Sequence, residues 1–363
     1  MSDAGEVLAA WRERVRHASE TNSPLRLVGG GTKDFYGQEL KGEAFDTTAY
    51  AGIVDYDPTE MVITLRCGTP LSEVERTLND AGQMLSFEPP HFGASTLGGC
   101  IAAGLSGPRR PYAGAVRDTM LGVRLLDGRG EELGFGGRVM KNVAGFDVSR
   151  LVAGSLGTLG VILEVSLKCL PRPRTEATRV FELSADQAVR SANEWSGQPL
   201  PLSATCYYQG RLHARFSGAS TAVDAAARRL GGWPLRDAES FWSAVRDQTH
   251  EFFTRGGPDA QLWRVSVQTT APYADLGGEQ LIEWGGGLRW LRTTATPGGA
   301  AEAERLRSWA RQHGGHATLF RSRDKSVGVF EPLGASKLAL QKRLKAVFDP
   351  AGIFNPGRLY PGL

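Results

Sequence analysis

The chain has 363 residues, with 42 Lys and Arg against 39 Asp and Glu, a formal charge of +3, 41% hydrophobic residues and 46 glycines. That length carries two domains with sizeable cores, and a near-balanced charge without a Lys/Arg block argues against nucleic-acid binding. The glycines lie aperiodically between strand-like runs, which excludes collagen-like and disordered chains, and Cys67, Cys100, Cys169 and Cys206 are too dispersed for the usual zinc or iron–sulfur spacings, so reduced thiols of a cytoplasmic protein are expected.

In chain order, MSDAGEVLAAWRERVRHA is amphipathic and carries acidic residues, unlike a signal peptide. Val7, Leu8, Trp11 and Val15 fall on one stripe of a helix over 5–19. No apolar run approaches membrane-spanning length. Leu25–Val28 reads as a strand leading into Gly29-Gly30-Gly31-Thr32-Lys33-Asp34, where successive backbone amides can form a nest for a pyrophosphate. Neither G-x-G-x-x-G nor the Gly-Lys-Ser/Thr ending of a P-loop is present. Met61–Arg66 alternates as a strand, and Ser72 with Glu75 predicts a capping box on a helix that Gly82 stops. Gly93–Gly104 is a small-residue segment, suited to helix packing or to the close approach of a flat ligand. Leu121–Leu126 and Glu132–Phe135 read as strands about a turn at Asp127-Gly128.

The densest chemistry lies in KNVAGFDVSRLVAGSLGTLGVILEVSLKCLP, from Lys141 to Pro171. Gly154, Gly157 and Gly160 recur every third residue, with the hydroxyls of Ser155 and Thr158 between them, and the strand Val161–Leu167 follows. Glycines at this density let backbone amides approach a ligand that a Cβ would hold off. Past Pro171-Arg172-Pro173 the composition shifts. Strands are predicted at Thr178–Leu183, at Ala204–Tyr208 and Leu212–Phe216 (a hairpin about Gln209-Gly210), and at Leu262–Val267, Leu288–Thr293 and Ala317–Arg321. Helices are predicted at Ala185–Trp195, Thr221–Leu230 and Ala300–His313, and a last helix, Ser336–Val347, precedes a Pro/Gly-rich tail. This pattern describes an antiparallel α+β domain.

DYDPTEMVITLRCGTPL, AGQMLSFEPPHFGASTLGG, FGGRVMKNVAGFDVSRLVAGSLGTLG and DPAGIFNPGRLYP together resemble the FAD-binding family of vanillyl-alcohol oxidase type, the PCMH fold. GPRRP, FGGRVMKNVAGFD and LIEWGGGLRWL narrow the resemblance to the FAD-binding subunits of bacterial glycolate oxidases, over nearly the whole chain. The resemblance implies an α+β chain: a two-subdomain FAD-binding fold over 1–174 (1–48 and 49–174), a cap over 175–325, and a helix and tail over 326–363 that return to the FAD domain. It places the pyrophosphate loop on Gly29, Gly30, Gly31, Thr32 and Lys33, and the flavin side on Pro90, Thr96 and Gly99. Arg117 and Asp118 are implied beside the cofactor. The adenosine-side loop falls on Gly154, Gly157, Thr158, Gly160 and Val161, with Gly145 and Asp147 in the segment before it and Asn355 returning near the flavin ring. Members with covalent flavin carry a histidine where this chain has Thr32, so a dissociable FAD is implied. The E-H-G-hydrophobic-G stretch of catalytic relatives has no match, the nearest segment being Gly314-Gly315-His316-Ala317-Thr318.

Oxidising a 2-hydroxyacid needs a cationic clamp for the carboxylate and a group that takes the hydroxyl proton. Arg264 and Arg289, beside Trp263 and Trp290, are the candidate clamps, and His316 is the candidate base. Three functions stay open. The chain is a flavin subunit working with a homologous catalytic flavoprotein and an iron–sulfur subunit on glycolate, or a self-sufficient 2-hydroxyacid dehydrogenase, or an assembly subunit with a structural flavin. The expected location is the cytoplasm, with attachment to the inner membrane open through partners; no nucleic acid, metal or transmembrane segment is expected.

Overall fold

A computed structural model describes residues 4–137, 148–257, 259–294 and 299–363. The chain divides into two compact units, the first comprising 1–105, 115–172 and 332–363 and the second 106–114 and 173–331.

In the first unit the helix Ala4–Thr21 buries Trp11, Val15 and Ala18. Trp11 packs its ring 5.2 Å from Phe45 and 5.5 Å from Tyr50. Leu25–Val28 pairs in parallel with Glu43–Asp46, a strand too short and polar to stand out in the sequence. A five-stranded antiparallel sheet follows in the order Ile53–Asp57, Val62–Arg66, Val161–Lys168, Met120–Leu126, Glu132–Gly136. Its central strand explains the apolar run after Gly160. Val161, Leu163, Val165 and Leu167 enter the core. On the alternate positions Glu164 accepts from Arg124 at 2.9 Å, and Ser166 bonds Thr64 at 2.9 Å.

The helix over Leu71–Asp80 differs from expectation at its start. Pro70 occupies the N-cap without a side-chain bond, so Ser72 lies within the first turn. The Leu71 amide donates instead to the Ser95 carbonyl at 2.9 Å, and the buried stripe Leu71, Val74, Leu78 sets the register. Thr96 caps the helix Leu97–Ala103 by accepting from the Gly99 amide. Gly104 ends that helix at φ +65, where a Cβ would lie 2.8 Å from the Gly154 Cα.

The second unit is built on an eight-stranded antiparallel sheet. Its order is Trp233–Pro234, Thr175–Glu182, Arg211–Gly218, Leu202–Tyr208, Glu279–Glu283, Leu288–Thr294, Ala260–Ser266, His316–Arg321. The strand Glu279–Glu283 and the helix Ala238–Arg246 were not evident from the pattern. Glutamates bound the strand at both ends, and the helix mixes aromatic with small polar residues. Residues 106–114, expected in the FAD domain, belong here because Trp284 donates its indole N–H to the Gly107 carbonyl at 3.1 Å and Arg109 pairs with Glu176. The unit extends to 331 rather than 325. Arg307 holds the Val327 and Gly328 carbonyls at 2.9 and 2.6 Å, and the Leu319 amide donates to Val329 at 2.8 Å.

This sheet carries a buried titratable ring. His213 stacks on Phe241 with centroids 4.1 Å apart and is 9% exposed. Burial drives its imidazole down to about 4, against a smaller opposing effect of its hydrogen bond with the Cys206 backbone. The unfolded chain therefore binds the extra proton between about pH 6.5 and pH 4. The stability due to the neutral ring is complete above that window and is lost as pH falls through it, by about 3 kcal/mol at most. We expect His213→Gln to lower the thermal midpoint at pH 7 but to flatten its fall between pH 7 and pH 4; a fall as steep as that of the unsubstituted chain would contradict this.

Candidate functional site

Two loops of the first unit lie flush against each other. A Cβ on Gly29 would stand 2.2 Å from the Thr96 hydroxyl oxygen, and one on Gly30 would stand 1.8 Å from the Ala94 carbonyl. No side chain larger than hydrogen fits either position, which is the physical reason for glycine there. Gly31 turns the chain at φ +67. Thr32 and Lys33 are then fastened to the Ser95 hydroxyl at 2.9 and 2.7 Å. Arg358, whose burial brings its guanidinium down to about 10, holds the far side of the loop through the Asp34 carbonyl at 2.9 Å and the Gln38 carbonyl.

The second glycine cluster faces the first across an open cleft of about 400 Å³. Its walls include Gly29, Gly98, Gly99, Gly157, Gly160 and Val161, with apolar surface from Leu27, Val28, Ala102 and Ile162. Thr47 and Asn355 supply polar atoms. Gly157 has φ +70, and a Cβ there would lie 2.8 Å from the Asn355 amide nitrogen and 3.1 Å from Leu27. Asn355 accepts from the Leu27 amide at 2.9 Å and donates to the Leu156 carbonyl at 2.6 Å, so it joins the first strand, the glycine loop and the tail. A narrow, glycine-walled, largely apolar cleft beside an amide-rich turn and a lysine suits a flat aromatic ring system joined to a pyrophosphate. FAD fits that description.

Several expected site residues take other parts. The Thr158 hydroxyl donates to the Ser155 carbonyl at 2.8 Å and closes the turn on itself. The Gly154 and Leu156 amides bond the Ile101 and Ala102 carbonyls at 3.0 and 2.9 Å. The loop is thus pinned to the helix Leu97–Ala103, while Gly157, Gly160 and Val161 reach the cleft. Thr96 is a helix cap, and Pro90 is buried. Asp118 accepts from the Ala115 amide at 2.8 Å and lies 3.8 Å from the Arg117 guanidinium. Among the described residues, Arg117 and Asp118 are not part of the cleft lining. Gly145 and Asp147 lie outside the described residues. Thr47, Cys67 and Leu27 were missed; only the pairing of Glu43–Asp46 with Leu25–Val28, invisible in composition, brings Thr47 there. Burial pushes the Cys67 thiol, and equally those of Cys100 and Cys169, up to about 12, which leaves them un-ionised and unreactive.

The second unit gathers a cationic group on one sheet face. Arg264 pairs in register with Trp290 and Thr318, and Ser266 with His316, so Arg264 and His316 point the same way from neighbouring strands. Arg289 pairs with Val265 and therefore faces the opposite side. There it is fully buried, donates to the Ala271 and Pro272 carbonyls at 2.6 and 2.8 Å, and stacks 4.9 Å from the Trp309 ring. The three expected residues do not converge: Arg289 braces the face covered by the helix Ala300–Gln312. His316 reaches solvent at its strand end, yet packing around the ring, then the positive charges of Arg264 and Arg110, hold its imidazole below the usual histidine range; Glu331 acts the other way.

Residues 6–136 match the FAD binding domain family, and 323–359 match the FAD linked oxidases, C-terminal domain. The chain is 47% identical over 352 residues to glycolate oxidase subunit GlcE of Escherichia coli (strain K12), covering 97% of each. It is 32% identical over 126 residues to glycolate oxidase subunit GlcD of Bacillus subtilis (strain 168), or 35% of this chain and 27% of that one. The solved structure of alkyldihydroxyacetonephosphate synthase superposes with a TM-score of 0.66 at 17% identity, over 96% of this chain and 75% of that one, which shows a shared fold.

Gly157→Val tests the cleft. A β-branched residue in the left-handed region costs about 1–3 kcal/mol in strain alone, and its side chain must displace Asn355 or Leu27. The purified variant should lose its flavin absorbance, while limited proteolysis of the second unit proceeds as in the unsubstituted chain. Full flavin occupancy would place the cofactor elsewhere.

Proposed function

The chain belongs to the family of the glycolate oxidase subunit GlcE, and from that premise we propose that it is the FAD-binding subunit of a glycolate oxidase complex. The observation that carries this is the match at 47% identity over 97% of both chains. In this reading it works beside a homologous catalytic flavoprotein and an iron–sulfur subunit, on glycolate or a related 2-hydroxyacid, in the cytoplasm or at the inner membrane through its partners. The family chemistry is FAD-linked oxidation, and bound FAD supplies the two-electron acceptor for it.

The loop Gly29–Lys33 would hold the pyrophosphate, with Lys33 already steered by Ser95. Gly157, Gly160 and Val161 would wall the adenosine side, and Asn355, expected near the flavin ring, stands beside Gly157. On the substrate side Arg264 would grip the carboxylate, and His316, neutral near pH 7 because its imidazole is held low, would accept the hydroxyl proton. The cap lacks the E-H-G stretch of catalytic relatives, which favours a flavin that turns over only within the assembly.

Thr32 bonds Ser95 and offers no imidazole, and His91 is paired with Glu75 at 2.9 Å. Acid or heat should therefore release the FAD into the supernatant; flavin that precipitates with the polypeptide would contradict a dissociable cofactor.

Mixed anaerobically with glycolate, the isolated chain should bleach slowly or not at all, whereas deleting it should silence the complex. Stopped-flow reduction of the lone chain at the rate of the intact complex would overturn this reading in favour of an autonomous dehydrogenase.

A further inference from the structure

The helix Ala335–Phe348, ASKLALQKRLKAVF, consists mostly of residues that favour helix by themselves. Its last turn is the part held firmly. Lys345 and Phe348 are buried, Phe348 packs its ring 6.0 Å from that of Phe135, and Arg129 donates to the Val347 carbonyl at 3.0 Å. The opposite side carries Ser336, Leu340, Arg343 and Val347, whose alternating spacing of four, three and four keeps them on one stripe. All four are exposed, Leu340 by 57% and Val347 by 63%, more than any other large hydrophobic residue among those described. Neither packs in the core of the first unit, and a β-branched residue such as Val347 gains nothing from a solvent-facing helix position.

The charge is as one-sided as the stripe. Lys337, Lys342 and Arg343 are exposed, the helix contains no acidic residue, and among the described residues its ion pair is the buried one of Lys345 with Asp349. Lys337 sits in the first turn, where the helix dipole disfavours a cation. We propose that this stripe is a docking face for an acidic helix of another subunit, which sets aliphatic side chains against Leu340 and Val347 and carboxylates against Lys337, Lys342 and Arg343. The proposal rests on the oxidase-subunit reading above and names the surface that the assembly uses. Charge selects the occupant. In a pairing with a second copy of this chain the three cations would meet three more, with no carboxylate between them. A lipid surface calls for a continuous apolar face, and Arg343 interrupts this one between Leu340 and Val347. The alternating four-and-three spacing is that of a helix–helix seam.

The test is assembly of the full-length, FAD-loaded chain co-expressed with the other subunits of the oxidase, followed by analytical ultracentrifugation of the purified complex over a dilution series. Leu340→Glu with Val347→Glu, and separately Lys342→Glu with Arg343→Glu, should each weaken assembly about tenfold or more. Added salt should weaken the unsubstituted complex as well. As isolated chains both variants should keep the flavin occupancy and thermal midpoint of the unsubstituted chain, which separates a lost interface from a lost fold. If the first pair lowers the midpoint, Leu340→Gln with Val347→Gln, a milder change in an exposed helix, should still weaken assembly. Three results would each overturn the docking face: unchanged assembly in the variants, a homodimer of the isolated chain that the variants abolish, or cosedimentation of the isolated chain with vesicles of equal parts phosphatidylglycerol and phosphatidylcholine that the variants abolish. The oxidase reading is judged separately. An unsubstituted chain that assembles with no other subunit removes that reading, whereas variants that assemble and turn over glycolate like the unsubstituted complex remove the docking face alone.

Discussion

The geometry of the first unit depends on one buried cation. Lys345 donates to the Thr158 carbonyl at 2.9 Å, to the Phe354 carbonyl at 2.8 Å and to the Asp349 carboxylate at 2.7 Å, so all three ammonium protons have acceptors. Burial pulls its pKa down, and Asp349 opposes that pull. Asp349 in turn accepts from the Ile353 and Phe354 amides at 3.0 and 2.8 Å. A pair this enclosed contributes little over an apolar replacement, but removing one partner alone costs about 3–5 kcal/mol. What it secures is position. It fixes the tail so that Asn355, the next residue, reaches both Leu27 and the carbonyl of Leu156. The glycine cluster, the first strand and the last residues are thereby one structure, although up to 328 positions separate their bonded members.

A second constraint is the two-residue period of a strand. Arg264 and Arg289 look equivalent in sequence, each next to a tryptophan in a strand-like run. The antiparallel register sets Arg264 opposite Trp290 and Val265 opposite Arg289. One arginine must then face the layer of Trp263, Val265 and Leu291 beneath the helix Ala300–Gln312, and the other the opposite side. Arg289 answers its burial by satisfying backbone carbonyls at 271, 272 and 286. Such an arginine holds a loop; it has no face left for substrate.

Much of this was legible in the residues themselves. Gly29-Gly30 and Gly157 announce backbone approaches that a Cβ would block, and the run after Gly160 is apolar because its alternate positions enter the core. Asn355 came only through the family resemblance of the FNPGR ending, since its bonds to Leu27 and Leu156 span distant segments. What stayed hidden depends on pairing between distant segments. Thr47 enters the cleft only because a short polar strand adds in parallel to Leu25–Val28. Ser72 resembled a cap because local signals favour it, yet Pro70 and the Ser95 carbonyl decide where that helix begins. The hydroxyls of the glycine loop read as ligand donors, but the Thr158 hydroxyl closes its own turn.

The segment 106–114 joins these themes. In sequence, GPRRP sits amid residues of the FAD-binding unit, and nothing local marks it as a visitor to another fold. Gly107 presents a carbonyl to an indole, Arg109 pairs with Glu176, and Arg110 lies against Trp284. Each contact needs a partner more than sixty residues downstream. A tryptophan in a left-handed conformation, braced by Thr205 and Asn193, is a costly way to fill a packing position. The turn brings its ring within reach of two guanidiniums, Arg110 at 4.6 Å and Arg264 at 5.2 Å from the ring centroid. The placement of Arg110 against Trp284 is thus a consequence of topology, as the separation of Arg264 from Arg289 is a consequence of register.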